Sequence, residues 1–201
     1  MASIRDFKYK LIKNFFTQEE LSILQPYCYK KLLAHTYFPN DPQSLSPSWY
    51  NDELMDTMLE TKEPLMCKHV GLEVKKAYAY WRYYVYGGFL KDHLDRPSCE
   101  ISVSACIKKY DNWPLIMQGK KYELEEGDGV IYLGCALPHS RPGIYKGEGM
   151  AQVFLHYVDK NGPFSHHADD NYLKNSNYQS TQSPADKKIL KEERKKYAER
   201  N

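Results

Sequence analysis

The chain has 201 residues, of which 42% are hydrophobic and 27% charged, a composition that suits one globular domain with a substantial core. The formal net charge is +2, so the charge balance gives no reason to expect nucleic acid as a partner. No apolar stretch approaches the roughly 20 residues that span a bilayer, and the first residues lack the apolar core of a signal peptide. We therefore expect no membrane association.

Five cysteines are widely spaced and form no CxxC pair or zinc-ribbon pattern. They are Cys28, Cys67, Cys99, Cys106 and Cys135. We expect reduced, small core residues, which indicates a cytoplasmic compartment.

The N-terminal part begins with a strand-like stretch over Phe7–Phe16. Thr17 and Glu20 have the spacing of a capping box and predict a helix, which Pro26 is expected to kink or end. A stretch rich in Pro, Ser and Asn, Ala34–Trp49, predicts a loop.

Apolar residues at helical spacing then predict one or two helical segments over Asp52–Lys76, interrupted at Pro64. Short strand-like segments separated by turn signals follow from Ala77 onwards. They cover Ala77–Tyr86, Glu100–Ile107, Trp113–Met117, Val130–Leu133 and Met150–Val158. This order favours a mainly antiparallel β-sandwich or barrel with helices gathered at the N-terminal end.

The C-terminal part, 161–201, is expected to be an appendage to a single domain formed by residues 1–160. Its first half, Asn161–Gln182, is polar, and the cluster His166, His167, Asp169 and Asp170 lacks the spacing of a known metal site, so we interpret it as a solvated loop. Ser183 and Pro184 predict the start of a charged helix, solvated or partly docked.

The tripeptide His93-Leu94-Asp95 follows a Tyr-rich, strand-like run. Because residues i and i+2 of a strand point to the same face, His93 and Asp95 are expected to project together. Two such groups and a further His make the 2-His-1-carboxylate set that holds Fe(II) and leaves coordination positions open. His139, which is 139 − 95 = 44 positions after Asp95, can return beside this pair in a jelly roll.

These residues resemble the Fe(II)/2-oxoglutarate-dependent dioxygenases, nearest the prolyl 4-hydroxylase-like branch. The resemblance covers roughly residues 8 to 159 and rests on the register of Tyr84, Gly87 and Leu90 with His93 and Asp95, on the Gly127-Asp128 turn, and on His139. It implies a distorted double-stranded β-helix (jelly roll) with His93, Asp95 and His139 as metal ligands and catalytic centre. It also implies Fe(II), 2-oxoglutarate and O2 as cofactor and cosubstrates, with ascorbate as a reductant.

One position departs from the family pattern. Family members usually bind the distal carboxylate of 2-oxoglutarate with Arg or Lys on the strand after the distal His, where this chain has Glu148, Gly149 and Met150. Arg141 is the best replacement, because on a strand it would share the face of His139; Lys146 and Arg82 are the alternatives. The resemblance implies that Tyr84 donates its hydroxyl to the same carboxylate.

Three further residues are expected near the site. Gln152 and His156 alternate inward on the last strand and line the pocket, Gln152 on the cosubstrate side and His156 on the substrate side. Arg96 lies at the mouth, where it contacts substrate or forms a rim salt bridge.

The resemblance implies hydroxylation of an aliphatic C–H bond, with decarboxylation of 2-oxoglutarate to succinate and CO2. A peptidyl proline is the leading substrate; free amino acids, other peptidyl side chains and small molecules stay open. The alternative is a non-catalytic jelly-roll binding module that keeps the metal ligands for structure. In either case we expect a monomer or homodimer.

Overall fold

The structure is a computed structural model that describes residues 2–36, 41–170 and 183–198. Its helices are α1 (Ile4–Phe7), α2 (Gln18–Leu33), α3 (Glu53–Val70) and α4 (Pro184–Ala198). Its strands are β1 (Tyr9–Ile12), β2 (Ser48–Tyr50), β3 (Val74–Tyr84), β4 (Ile101–Lys109), β5 (Leu115–Met117), β6 (Lys120–Tyr122), β7 (Gly129–Tyr132), β8 (His139–Ser140) and β9 (Met150–Asp159).

The strands form two antiparallel sheets. The larger has the order β1-β7-β4-β9-β3-β2 and the smaller has the order β6-β5-β8. Strands distant in sequence lie side by side in both sheets, as in a jelly roll. The prediction of a mainly β fold with flanking helices and a double-stranded β-helix core is confirmed.

Strands β3, β4 and β9 are buried along most of their length. On one face of this sheet β9 places Gln152 opposite Arg82, and His156 opposite both Tyr78 and Ser102. Polar side chains are therefore brought together inside the protein, where each of them needs a partner.

The capping box of α2 is confirmed. Thr17 Oγ1 accepts the Glu20 N–H at 3.2 Å, and Glu20 Oε2 accepts the Thr17 N–H at 2.8 Å. The prediction that α2 could end at Pro26 is wrong, since the helix continues to Leu33. Pro26 is exposed, so water can satisfy the helix carbonyl that loses its N–H partner.

Helix α3 likewise passes through exposed Pro64 without interruption. It ends at Gly71, whose φ of 67° is the left-handed conformation that glycine adopts without strain. The helical pattern was extended too far, because β3 begins at Val74.

The sequence pattern did not predict several short strands. Strand β2 lies partly inside the predicted loop Ala34–Trp49, of which residues 37–40 are outside the described residues. β6 and β8 have three and two residues, too few for a visible alternation. The first strand occupies only Tyr9–Ile12 of the predicted Phe7–Phe16.

Helix α4 packs onto the domain. Leu190 and Tyr197 are 2% and 1% exposed, and Arg194 Nε donates to the Cys135 carbonyl at 3.1 Å. Of the predicted irregular stretch Asn161–Gln182, residues 171–182 lie outside the described residues. The described helices include none with the length and apolar character that crossing a membrane requires.

Candidate metal centre

His93 and His139 face each other across an isolated antiparallel bridge. The N–H of each residue donates to the carbonyl of the other, both at 3.1 Å. A third backbone hydrogen bond joins the same two segments: the Arg141 N–H donates to the Leu90 carbonyl at 2.9 Å. Backbone pairing thus brings together two imidazoles that are far apart in sequence, with ring centroids 4.2 Å apart.

Asp95 is held beside them by Gly134. The Asp95 N–H donates to the Gly134 carbonyl at 3.0 Å, and a Cβ at position 134 would lie 2.6 Å from Asp95 Oδ2. Only glycine leaves room for this close approach. The sequence analysis did not predict a role for Gly134, because glycine has no side chain that could bind a metal or a substrate.

The three side chains converge on one point. Asp95 Oδ1 lies 3.6 Å from His93 Nε2, and Asp95 Oδ2 lies 3.6 Å from His139 Nε2. Metal–ligand bonds of about 2.1 Å leave neighbouring donor atoms about 3.0–3.4 Å apart, so a small closure around an ion suffices. Two imidazole nitrogens and a carboxylate are the donor set of non-haem Fe(II).

In both imidazoles Nε2 carries the lone pair that can bind a metal. His93 Nδ1 lies 2.9 Å from the Lys91 carbonyl, and His139 Nδ1 lies 3.0 Å from the Leu137 carbonyl. A carbonyl only accepts, so each Nδ1 carries the proton and donates it. Each Nε2 is then free to bind a metal, with its ring orientation fixed by the same hydrogen bond.

Burial keeps the two imidazoles neutral. Desolvation lowers the pKa of His139 to about 4 and lowers the pKa of His93, which the nearby His139 lowers further. Desolvation raises the pKa of Asp95 to about 6, and the neighbouring His93 opposes the rise. A cation among these groups would favour the ionised carboxylate and repay its desolvation.

Arg141, two residues after His139, is a buried cation. Its side chain lies beside Tyr84 and Trp113, with the guanidinium carbon 5.4 and 5.2 Å from the two ring centroids. Nη1 donates to the Trp113 carbonyl, whereas Nε is buried without a hydrogen-bond partner. No carboxylate among the described residues pairs with Arg141, and desolvation lowers its pKa.

The two other candidate cations differ from Arg141. Arg82 is fully buried, donates to the Tyr84 hydroxyl at 3.2 Å, and pairs with Asp41 at 2.5 Å. Lys146 is exposed on the loop before β9. Gln152 is buried next to Arg82; its amide donates to Ser104 at 2.9 Å, and its Oε1 has no hydrogen-bond partner.

A cavity of about 210 Å³ opens beside the metal-binding point. Its lining includes His93, Asp95, Arg96, Cys99 and His156, together with the rings of Tyr50, Tyr78 and Tyr80. The rings of Tyr50 and Tyr80 stack at 4.8 Å. Arg96 lies over the Tyr78 ring at 4.4 Å and pairs with Asp170 at 3.3 Å, an arrangement that forms part of the rim.

His156 lines this cavity and has one buried ring nitrogen without a hydrogen-bond partner. Its Nδ1 lies 2.7 Å from Ser102 Oγ, and that hydroxyl donates to the Cys99 carbonyl at 3.1 Å. The hydroxyl has a single proton, so Nδ1–H must donate to Ser102, and buried Nε2 keeps a lone pair without a partner. Desolvation also holds the pKa of His156 well below its usual value.

Comparison with known proteins gives matches at the level of structure. No family model matches the chain, and no curated protein matches its sequence. A prolyl-4-hydroxylase from Pseudomonas putida superposes with a TM-score of 0.61 at 16% identity, covering 76% of this chain and 92% of that one.

Two further solved structures match over similar lengths. An oxidoreductase of the 2OG-Fe(II) oxygenase family from Burkholderia pseudomallei has a TM-score of 0.61 at 16% identity and covers 84% and 90% of the two chains. The epimerase SnoN, in complex with Fe3+, alpha ketoglutarate and nogalamycin RO, has a TM-score of 0.62 at 11% identity and covers 88% and 89%. The sequence resemblance is therefore confirmed for the fold: this chain has the jelly-roll fold of the 2-oxoglutarate/Fe(II) oxygenases, among them the prolyl hydroxylases.

Proposed function

We propose that this chain is an Fe(II)- and 2-oxoglutarate-dependent dioxygenase that hydroxylates an aliphatic C–H bond. The observation that carries the proposal is the convergence of His93, Asp95 and His139, whose ligand atoms all lie within 4.8 Å of one another. Iron held by these three residues would supply the activation of O2 that is coupled to decarboxylation of 2-oxoglutarate. We expect ascorbate to sustain activity by keeping the iron reduced.

The chain's own residues would bind and orient the cosubstrate. Arg141 is a buried cation without a carboxylate partner in the described part of the chain, a costly state that an anionic ligand would relieve. Its planar fork suits a carboxylate, and the Tyr84 hydroxyl, which already accepts from Arg82, can donate its own proton to the same group. We infer that Arg141 and Tyr84 bind the distal carboxylate of 2-oxoglutarate.

The other candidate residues are less suited to bind this carboxylate. Arg82 already has Asp41 as a counter-ion, so it has less need of a second carboxylate. Gln152 Oε1 is an acceptor and would repel a carboxylate, although its amide can orient Ser104. Lys146 is exposed and is the weakest of the candidates.

The cavity beside the metal point would receive the prime substrate. His156 Nε2 is an acceptor, so the substrate should present an N–H or O–H to it, while Tyr78 and Tyr80 offer flat apolar walls. A peptidyl proline has a compact apolar ring, and its following residue supplies an amide N–H. Arg96 at the rim could meet a substrate carboxylate in exchange with Asp170.

The test is aerobic incubation of the purified chain with Fe(II), ascorbate and 2-oxoglutarate, followed by measurement of succinate. We expect succinate even without prime substrate, and more with the correct substrate. Asp95→Ala should abolish it, whereas the matched control His69→Ala, on α3, should keep it. If the chain binds iron but forms no succinate, the proposed enzymatic activity is refuted and the non-catalytic binding module is favoured.

Substrate class is tested with proline-containing peptides, free amino acids and small alicyclic compounds, scored by mass for one added oxygen atom. Peptide hydroxylation would support the prolyl assignment. Product formation from the small molecules alone would refute it while keeping the oxygenase. Because the five described cysteines are free and mostly buried, we propose a cytoplasmic, reducing compartment for this chemistry.

A further inference from the structure

Three side chains outside the iron site converge where the chain joins helix α4. His166 and His167 lie in the short 3-10 turn Ser165–His167 that follows β9, and Asp186 lies in the first turn of α4. We call these three residues the junction cluster. Their ligand atoms all lie within 4.8 Å of one another.

The distances within the junction cluster fit a common metal ion. Asp186 Oδ1 lies 3.1 Å from His166 Nε2, and Asp186 Oδ2 lies 3.4 Å from His167 Nε2. Two ligands at about 2.0–2.1 Å from a tetrahedral ion lie about 3.3 Å apart, whereas a charge-assisted N–H···O bond is about 2.7–2.9 Å. The 3.4 Å separation is longer than such a hydrogen bond and close to the edge of a coordination polyhedron, whereas the 3.1 Å contact between His166 and Asp186 is a hydrogen bond that an ion bound between the two groups would replace.

The state of His167 supports this interpretation. Its Nε2 is buried and has no hydrogen-bond partner, although it lies beside a carboxylate. The two imidazole rings lie 4.3 Å apart and tilted by 39°, so both Nε2 atoms face the same carboxylate from neighbouring positions. A buried nitrogen without a partner, next to two other potential ligand atoms, is available to bind a metal ion.

The carboxylate of Asp186 is also oriented as metal-binding carboxylates are. Ser183 donates to Asp186 Oδ2 from its backbone N–H at 3.1 Å and from its hydroxyl at 2.8 Å. These bonds hold one oxygen and leave Oδ1 directed at His166, and Asp186 is only 2% exposed. Such outer hydrogen bonds fix ligand geometry before the ion arrives.

We infer that the junction cluster is a second metal site, specific for a divalent ion that prefers imidazole ligands, of which Zn²⁺ is the model. His166, His167 and Asp186 supply three ligands, and exposed His166 leaves the fourth position to water. The site is independent of the iron site and of the proposed oxygenase activity.

Metal binding here would stabilise the segment that borders the substrate cavity. Two residues of this segment hold it to the domain: the Asp169 N–H donates to the Lys76 carbonyl at 2.9 Å, and Asp170 pairs with Arg96. Arg96 lines the cavity next to Asp95. An ion bound at the 3-10 turn would therefore fix the residues directly before Asp169 and Asp170.

The test uses the full chain with His93→Ala and His139→Ala, which removes the iron site. Co²⁺ is titrated as the probe, because its visible absorption reports coordination by imidazole. We expect one equivalent of Co²⁺ bound, and at least a tenfold loss of affinity when His167→Ala or Asp186→Asn is added. His69→Ala in the same background is the matched control and should change nothing.

Circular dichroism on each variant verifies that α4 is retained, and Asp186→Asn keeps a side-chain acceptor for Ser183. Failure of the His93→Ala/His139→Ala chain to bind Co²⁺ would overturn the inference. Equal binding with and without Asp186→Asn would overturn it as well. Suppose that His167→Ala lowers the melting temperature but that Co²⁺ does not change the melting temperature of the His93→Ala/His139→Ala chain. The cluster would then be an ion pair that stabilises the fold without binding a metal.

Discussion

Replacement of Arg141 by Met should change two measurable quantities in opposite directions. It should weaken the binding of 2-oxoglutarate, and it should not lower the free energy of unfolding of the ligand-free protein. Met fills much of the same space beside Tyr84 and Trp113 but carries no charge. Loss of one partner of a buried, hydrogen-bonded charge pair costs about 2–5 kcal/mol. At about 1.4 kcal/mol per factor of ten, the dissociation constant for 2-oxoglutarate should rise by about 30-fold to 4,000-fold.

The stability of the ligand-free protein should move in the opposite direction. Arg141 is desolvated and has no carboxylate partner in the described residues, so an apolar side chain of similar volume should leave the free energy of unfolding unchanged or raise it by up to about 4 kcal/mol. Calorimetric titration of 2-oxoglutarate into anaerobic, Mn²⁺-loaded protein measures the first effect. Urea unfolding of the metal-free protein measures the second.

Lys146→Met is the matched control, because it removes a cation from the exposed loop before β9. It should change neither quantity beyond about 0.5 kcal/mol. Unchanged affinity for 2-oxoglutarate in Arg141→Met would refute the assignment. A large loss in Arg82→Met in that case would transfer the role to Arg82.

Three smaller predictions follow from local geometry. His139→Ala removes a metal ligand and should weaken Fe(II) binding by more than about 100-fold in an anaerobic titration; retention of tight binding would remove His139 from the site. Gly134→Ala places a Cβ 2.6 Å from Asp95 Oδ2 and should weaken Fe(II) binding by about 10- to 100-fold, and an unchanged affinity would mean that the backbone yields. Thr17→Ala breaks the capping box of α2 and should lower the free energy of urea unfolding by about 1 kcal/mol, while Thr57→Ala, on the exposed side of α3, should stay within about 0.5 kcal/mol.

The fold class could be predicted because long strands have a strong local pattern. β4 and β9 were predicted to within two residues at each end, since their β-branched and aromatic residues run without helix signals. β8 has two residues and exists only because it pairs with β5, so no local pattern announces it. The prolines of α2 and α3 misled the prediction because exposure, which decides their cost, is a tertiary property.

The candidate metal ligands were visible in the sequence for a different reason. His93, Asp95 and His139 fall in register with a known family pattern, whereas Gly134 and Ser102 act through backbone approach and a hydrogen bond to another side chain. The sequence analysis grouped His166 and His167 with Asp169 and Asp170, which lack the spacing of a known metal site, whereas Asp186 lies further along the chain. Only the docking of α4 brings that carboxylate to the two imidazoles.

The reciprocal backbone bonds between His93 and His139 make the metal centre insensitive to the length of the chain that separates the two residues. Insertions or deletions in the turns between β5 and β7 would leave both imidazoles in place, because their separation is set across the ladder. A slip of one residue in that pairing would instead turn one of the two rings to the opposite face and separate the two ligands. Natural or engineered variants of this protein should therefore tolerate large changes in those turns and almost none in the alignment of these two short segments.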